Sequence, residues 1–124
     1  MSDADATARP LPPPGGHYRH AVRRGNTVYT AGQVGWDAAH VFPDGIEAQT
    51  RLALDNLSRA LASEGATLAD LVSVTAYLSD LANFAGYNEV YKAAIPTDPP
   101  ARASVGVQLF PGCLVEIMGI AVVE

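Results

Sequence analysis

The eight-residue run Leu71-Val72-Ser73-Val74-Thr75-Ala76-Tyr77-Leu78 is β-branched and mostly apolar, the composition of a well-buried strand. It lies between two segments whose apolar residues repeat at helical spacing, and that succession confines the chain to α/β (α+β) folds in which helices cover a sheet. Upstream, Ile46, Ala53, Leu54, Leu57, Ala60 and Leu61 form one apolar stripe that ends at Glu64-Gly65. Glu47, Gln49, Arg51, Asp55, Ser58 and Arg59 occupy the other side, so this helix packs on one face only. Asp44, three residues before Glu47, resembles a capping arrangement at its start. Downstream, residues 82–95 place Phe84, Tyr87, Tyr91 and Ala94 or Ile95 on one face of a second helix, which Pro96, Pro99 and Pro100 terminate.

Four further strands are expected around this centre. Tyr18–Arg24 and Thr27–Val34 flank Gly25-Asn26, a pair that tolerates positive φ, and read as a β-hairpin. Ala101–Phe110 and Leu114–Val123 flank Pro111-Gly112 and read as a closing hairpin. The order β-β-α-β-α-β-β implies a mixed β-sheet with two helices packed on one face. The last strand carries Leu114, Ile117, Ile120, Val122 and Val123. These residues either all face the helices or leave an apolar sheet face that a symmetric homo-oligomer covers. Residues 1–16, with Pro10, Pro12, Pro13 and Pro14 before Gly15-Gly16, read as an extended, flexible Pro/Gly-rich arm, and 17–124 as one domain.

A length of 124 residues fits one core. The formal net charge of -5 opposes binding to a phosphate backbone, so nucleic acid is an unlikely partner despite the small basic cluster of Arg19, Arg23 and Arg24. A lone cysteine, Cys113, can neither close an internal disulfide nor build a cysteine-based zinc site. No apolar run approaches the roughly 18 residues that span a bilayer, and the acidic start at Asp3 and Asp5 precedes no apolar leader, so a cytoplasmic, membrane-free protein is expected.

The sequence contains no Gly-x-Ser-x-Gly elbow, phosphate-binding loop, dinucleotide fingerprint or His-Glu-x-x-His motif. Polar residues at strand ends remain. Arg102 follows two prolines and opens a strand, and its planar fork suits bidentate binding of a small-molecule carboxylate; an ion pair with one of the acidic residues is an equal alternative. Glu116 lies between Val115 and Ile117, where a carboxylate is costly unless it is paired or used in acid/base chemistry. Strand alternation, with Leu114, Glu116 and Met118 on one face, slightly favours its pointing outward to water. His17, His20 and His40 show no metal-ligand spacing, and no metal is assigned. Cys113, beside a turn glycine, has no identifiable base and reads as a small loop residue.

Six segments appear in order: Ala31-Gly32-Gln33-Val34, Ile46-Glu47-Ala48-Gln49-Thr50, Leu54-Asp55-Asn56-Leu57, Tyr87-Asn88-Glu89-Val90-Tyr91, Pro99-Pro100-Ala101-Arg102 and Val115-Glu116-Ile117. Their succession over roughly residues 16 to 123 resembles the reactive intermediate deaminase (Rid, YjgF-like) family. The resemblance implies a chorismate-mutase-like fold and a homotrimer built around a barrel of sheets, with sites at the subunit interfaces. It also implies cofactor-independent hydrolysis of reactive enamines and imines, such as 2-aminoacrylate, to 2-keto acids and ammonia. Arg102 matches the family's carboxylate-binding arginine and Glu116 its water-positioning glutamate; Tyr18, Asn88 and Gly32 match further substrate-binding positions. Ala31, Ser104 and Gly35-Trp36-Asp37 depart from the archetype, where a serine, often a cysteine and a proline-containing turn stand. These departures admit a different imine in a dedicated pathway or a non-catalytic acid-binding trimer, and ribonuclease activity has also been ascribed to the family.

Overall fold

The computed structural model describes residues 11–124. Six strands form one sheet: β1 (Ala21–Arg24), β2 (Thr27–Thr30), β3 (Gln33–Val34), β4 (Leu71–Leu78), β5 (Ala101–Gly106) and β6 (Val115–Val122). Two α-helices, α1 (Ile46–Ala62) and α2 (Phe84–Ala94), pack on one of its faces, with short 3-10 turns at Leu68–Asp70 and Leu81–Asn83. The sheet order is β1-β2-β6-β4-β5, with β3 also paired to β6. All pairs are antiparallel except β4 and β5, which α2 joins as a parallel crossover. The expected mixed sheet with one-sided helices is therefore what the chain forms.

The centre follows the apolar pattern. Leu57, Leu61, Ala76, Leu78, Val115 and Ile117 are fully buried between α1 and the sheet, and each of the larger aliphatic side chains contributes about 1.5–3 kcal/mol by leaving water. β6 alternates strictly: Val115, Ile117 and Ala121 face the helices, while Glu116, Met118, Ile120 and Val122 lie half-buried on the uncovered face.

Three sequence expectations change. β5 and β6 form no closing hairpin; they flank β4 on opposite sides, because the most apolar strand takes the centre of this half of the sheet. The turn at Pro111-Gly112 exists, with Gly112 at φ 84 and Cys113 N–H donating to the Phe110 carbonyl at 3.0 Å, but it lies in a stretch without regular structure rather than between paired strands. The expected single strand Thr27–Val34 is broken by a bulge: Tyr29 opposes Ile120 and Gln33 opposes Ile117, so residues 30–32 face only 118–119. Thr30 Oγ1 fills the gap by accepting from Gly119 N–H at 3.0 Å. Asp44 does not cap α1; Gly45, at φ 88, occupies the N-cap, and the side-chain capping box falls instead on Thr67 and Asp70.

The first hairpin forms as expected, with Arg24 opposite Thr27 and Gly25 at φ 60. Residues 11–16 have no regular structure but are tied to the domain: His20 Nε2 meets the Pro12 carbonyl at 2.6 Å, His40 Nε2 the Pro13 carbonyl at 2.9 Å, and Pro12 is buried. The remainder of the expected arm, residues 1–10, lies outside the described residues.

Candidate active site

The bulge opens a cavity of about 470 Å³ on the uncovered side of the sheet. Ala31 and Gly32 form its floor, Tyr18 and Trp36 its walls, and Glu116 its one carboxylate. Gly32 is required by contact: a Cβ there would run into the Glu116 carboxylate. Burial raises the Glu116 carboxyl above its ordinary value of 4.5, so it accepts a proton more readily than an exposed carboxylate. The Cys113 thiol also borders the cavity, but burial pushes it up to about 11 and its Sγ–H donates to the Val115 carbonyl at 3.4 Å, which makes it a poor nucleophile.

The raised carboxyl has a stability consequence. A folded state that holds its proton more tightly than the unfolded chain loses stability as pH rises from the ordinary value through the raised one. Glu116→Gln removes that loss. Between about pH 4 and about pH 8, the urea midpoint of the wild type is expected to fall relative to that of Glu116→Gln; parallel midpoints across that range would show that Glu116 carries no such penalty.

Arg102 lies elsewhere. It stands opposite Val74, whereas Glu116 stands opposite Tyr77; the two β4 residues are an odd number of positions apart and so point to opposite faces. Arg102 therefore projects onto the helix-covered side, at the open edge formed by β5. Its guanidinium rests over Tyr91, 4.5 Å from the ring centroid, with Tyr87 at 5.5 Å and Phe84 at 5.8 Å. Nη1 donates to Asn88 Oδ1 at 2.9 Å and to Tyr87 Oη at 3.3 Å, and Tyr87 in turn shares a 3.0 Å hydrogen bond with Ser104 Oγ. Among the described residues no carboxylate pairs with Arg102, so the ion-pair alternative is not what the fold uses. One side of the fork is pinned and the other is free to receive an anion.

The sequence-predicted residues thus fall into two half-sites. Glu116, Gly32, Ala31, Tyr18 and Trp36 line one cavity; Arg102, Asn88 and Ser104 gather at the β5 edge. Sequence reasoning took Phe84, Tyr87 and Tyr91 for core and missed that they form the bed under Arg102; tyrosines with buried rings and hydroxyls near a polar strand were the available signal. It also missed His20, which takes a 3.1 Å contact from Gln33 Nε2 at the cavity rim. No group of three His, Cys, Asp or Glu side chains is placed to hold a metal ion among the described residues, and no helix there is long and apolar enough to cross a membrane.

The family model described as Endoribonuclease L-PSP matches residues 9–123. The chain belongs to this Rid (YjgF-like) family. The Rid chain is 38% identical over 97 residues to the protein mmf2, mitochondrial, of Schizosaccharomyces pombe, covering 78% of this chain and 77% of that one. It is 36% identical over 110 residues to 2-iminobutanoate/2-iminopropanoate deaminase of Rattus norvegicus, covering 86% and 80%. Its fold matches the crystal structure of RidA from the Antarctic bacterium Psychrobacter sp. PAMC 21119 with a TM-score of 0.87 at 37% identity, over 91% of this chain and 94% of that one. The Rid family thus includes proteins named for imine deamination alongside a family description that names a ribonuclease.

Proposed function

We propose that this Rid protein hydrolyses a reactive imine that carries a carboxylate, yielding a 2-keto acid and ammonia, at sites shared between subunits of a homotrimer. The observation that supports this most is the division into half-sites: an arginine with one side of its fork open on a strand edge and a half-buried carboxylate in a cavity, on opposite faces of one sheet. A second copy that lays its β5 edge beside the cavity joins them. The exposed β5 residues and the half-buried apolar row of Met118, Ile120 and Val122 are surfaces that such packing covers.

In the joined site, Arg102 holds the substrate carboxylate and leaves the adjacent imine carbon over the cavity of the neighbouring chain. An enamine such as 2-aminoacrylate first tautomerises to 2-iminopropionate. Glu116 takes a proton from water as the water oxygen bonds to the imine carbon, the C=N π pair moves to nitrogen, and Glu116 returns that proton to the nitrogen. The carbinolamine then collapses: its hydroxyl proton passes through Glu116 to the amine, the oxygen lone pair forms the keto C=O as the C–N bond breaks, and ammonia leaves. The imine carbon is already electrophilic, so no covalent nucleophile or cofactor enters these steps. Asn88 and Tyr87 fix the arginine, and the missing side chain at Gly32 leaves the room in which the Glu116 carboxylate sits.

The assay generates 2-iminopropionate in situ with an amino-acid oxidase and follows its decay. Wild type is expected to accelerate decay, and Arg102→Ala to reduce kcat/KM by about two orders of magnitude. No acceleration, or an Arg102→Ala variant indistinguishable from wild type, overturns the proposal. RNA cleavage has less support: Arg23 and Arg24 are engaged with the Gly25, Glu64 and Arg23 carbonyls, and the chain is acidic.

A further inference from the structure

The cavity around Glu116 is far roomier and more apolar than a three-carbon substrate needs. Its volume of about 470 Å³ falls in the range of about 300–1,000 Å³ that holds drug-sized ligands, whereas 2-iminopropionate has a single methyl beyond its reacting groups. Besides Glu116 and the polar Tyr18, His20 and Gln33, the cavity's lining includes the apolar side chains of Val34, Trp36, Phe42 and Phe110. No charged group stands among them to meet a polar side chain.

Trp36 is the fixed part of this wall. Its carbonyl accepts from Asn56 Nδ2 at 3.0 Å, and the same amide holds the Val34 carbonyl at 2.9 Å, so a fully buried α1 asparagine clamps the backbone on both sides of Gly35. The indole stacks on His40 with centroids 3.9 Å apart and planes 11° from parallel, and His40 is itself anchored on the Pro13 carbonyl. Phe42 leans on the other part of the ring at 5.7 Å. Asp37 Oδ1, accepting from the Ala39 and Val41 amides, closes the intervening loop. A surface tryptophan without a task needs no such bracing; this one presents a preformed aromatic plate to the cavity.

We infer that Trp36 determines specificity, and that the preferred substrates are imines of 2-keto acids with a bulky apolar side chain, branched or aromatic, rather than the methyl-bearing 2-iminopropionate. The inference rests on the deaminase reading above and names its substrate class. A hydrophobic pocket separates ligands that differ by a few carbons by about ten- to two-hundredfold. The chemistry is unchanged; only the side chain differs.

Two measurements test this. In the first, imines are generated by the oxidase from alanine, leucine and phenylalanine. Wild type is expected to favour the leucine- or phenylalanine-derived imine over the alanine-derived one by about tenfold or more in kcat/KM, and Trp36→Ala to erase that ratio. Equal or reversed preference in wild type, or a ratio that survives in folded Trp36→Ala, overturns the inference while leaving the deaminase reading standing. In the second, wild type is titrated with 4-methyl-2-oxopentanoate and with pyruvate. Trp36 is the chain's single tryptophan, so its emission reports the cavity directly and needs no variant. Tighter, saturable quenching by the branched keto acid supports the inference; equal or weaker response than to pyruvate sinks it. If no imine is turned over, the deaminase reading fails, and the titration still decides what the cavity prefers.

Discussion

Two variants expected to be severely impaired, Arg102→Ala and Glu116→Gln, are expected to regain activity when they are unfolded together and reassembled. Each alone lacks one half-site everywhere. In the proposed ring of three, every site would draw its arginine from one chain and its carboxylate from the neighbour, always in the same direction. A randomly mixed equimolar pool then has both intact groups at about one interface in four, so about a quarter of wild-type activity returns. Oxidase-coupled imine decay measures it. A mixed pool as inactive as its parents means that no site combines the two groups from different chains, and the shared-site proposal fails. The large expected effect comes from topology: residues opposite Val74 and Tyr77 cannot meet within one sheet, whatever their rotamers.

The next largest effect is expected at Gly32. In Gly32→Ala the new methyl occupies the place of the Glu116 carboxylate. That carboxylate is the far end of a flexible chain, so it swings aside and the fold survives at a cost of about 1–3 kcal/mol. Activity suffers more, because a misplacement of about 1 Å in a reacting group costs about a hundredfold in rate. A folded Gly32→Ala protein with kcat near wild type contradicts the placement of Glu116 in the chemistry. Gly35 provides the contrast: a methyl there meets the backbone of Gln49, which has no freedom to yield, so Gly35→Ala is expected to lower the unfolding midpoint rather than to act on turnover alone.

Much of this arrangement was legible in the residues, and the parts that were not share a cause. The helices were readable because α1 and α2 bury single stripes, a signal carried by neighbours in sequence. β4 was readable from its branched, apolar composition. The pairing of β5 was not, since Pro111-Gly112 looks the same whether it closes a hairpin or merely turns a loop that passes to the far side of β4. The bulge at Ala31-Gly32 was hidden for a similar reason: it is defined by the partner strand, which slips by one residue only in three dimensions. Arg102 and Glu116 were both singled out, the one after two prolines at a strand start and the other among apolar neighbours, but alternation alone could not say which face each took. The bed of Phe84, Tyr87 and Tyr91 shows how a pattern read as core serves a polar group once an arginine lies across it.

The open edge of β5 has a consequence beyond the chemistry. Ala101, Arg102, Ala103, Val105 and Gly106 are exposed along a strand paired only to β4, with its outer edge open, next to an apolar sheet face. A lone chain in that form is a ready template for uncontrolled strand addition, the first step toward insoluble aggregates. The proposed assembly would then protect the protein as well as complete its site, and a defect in assembly would reduce the quantity of soluble protein before the turnover of what remains.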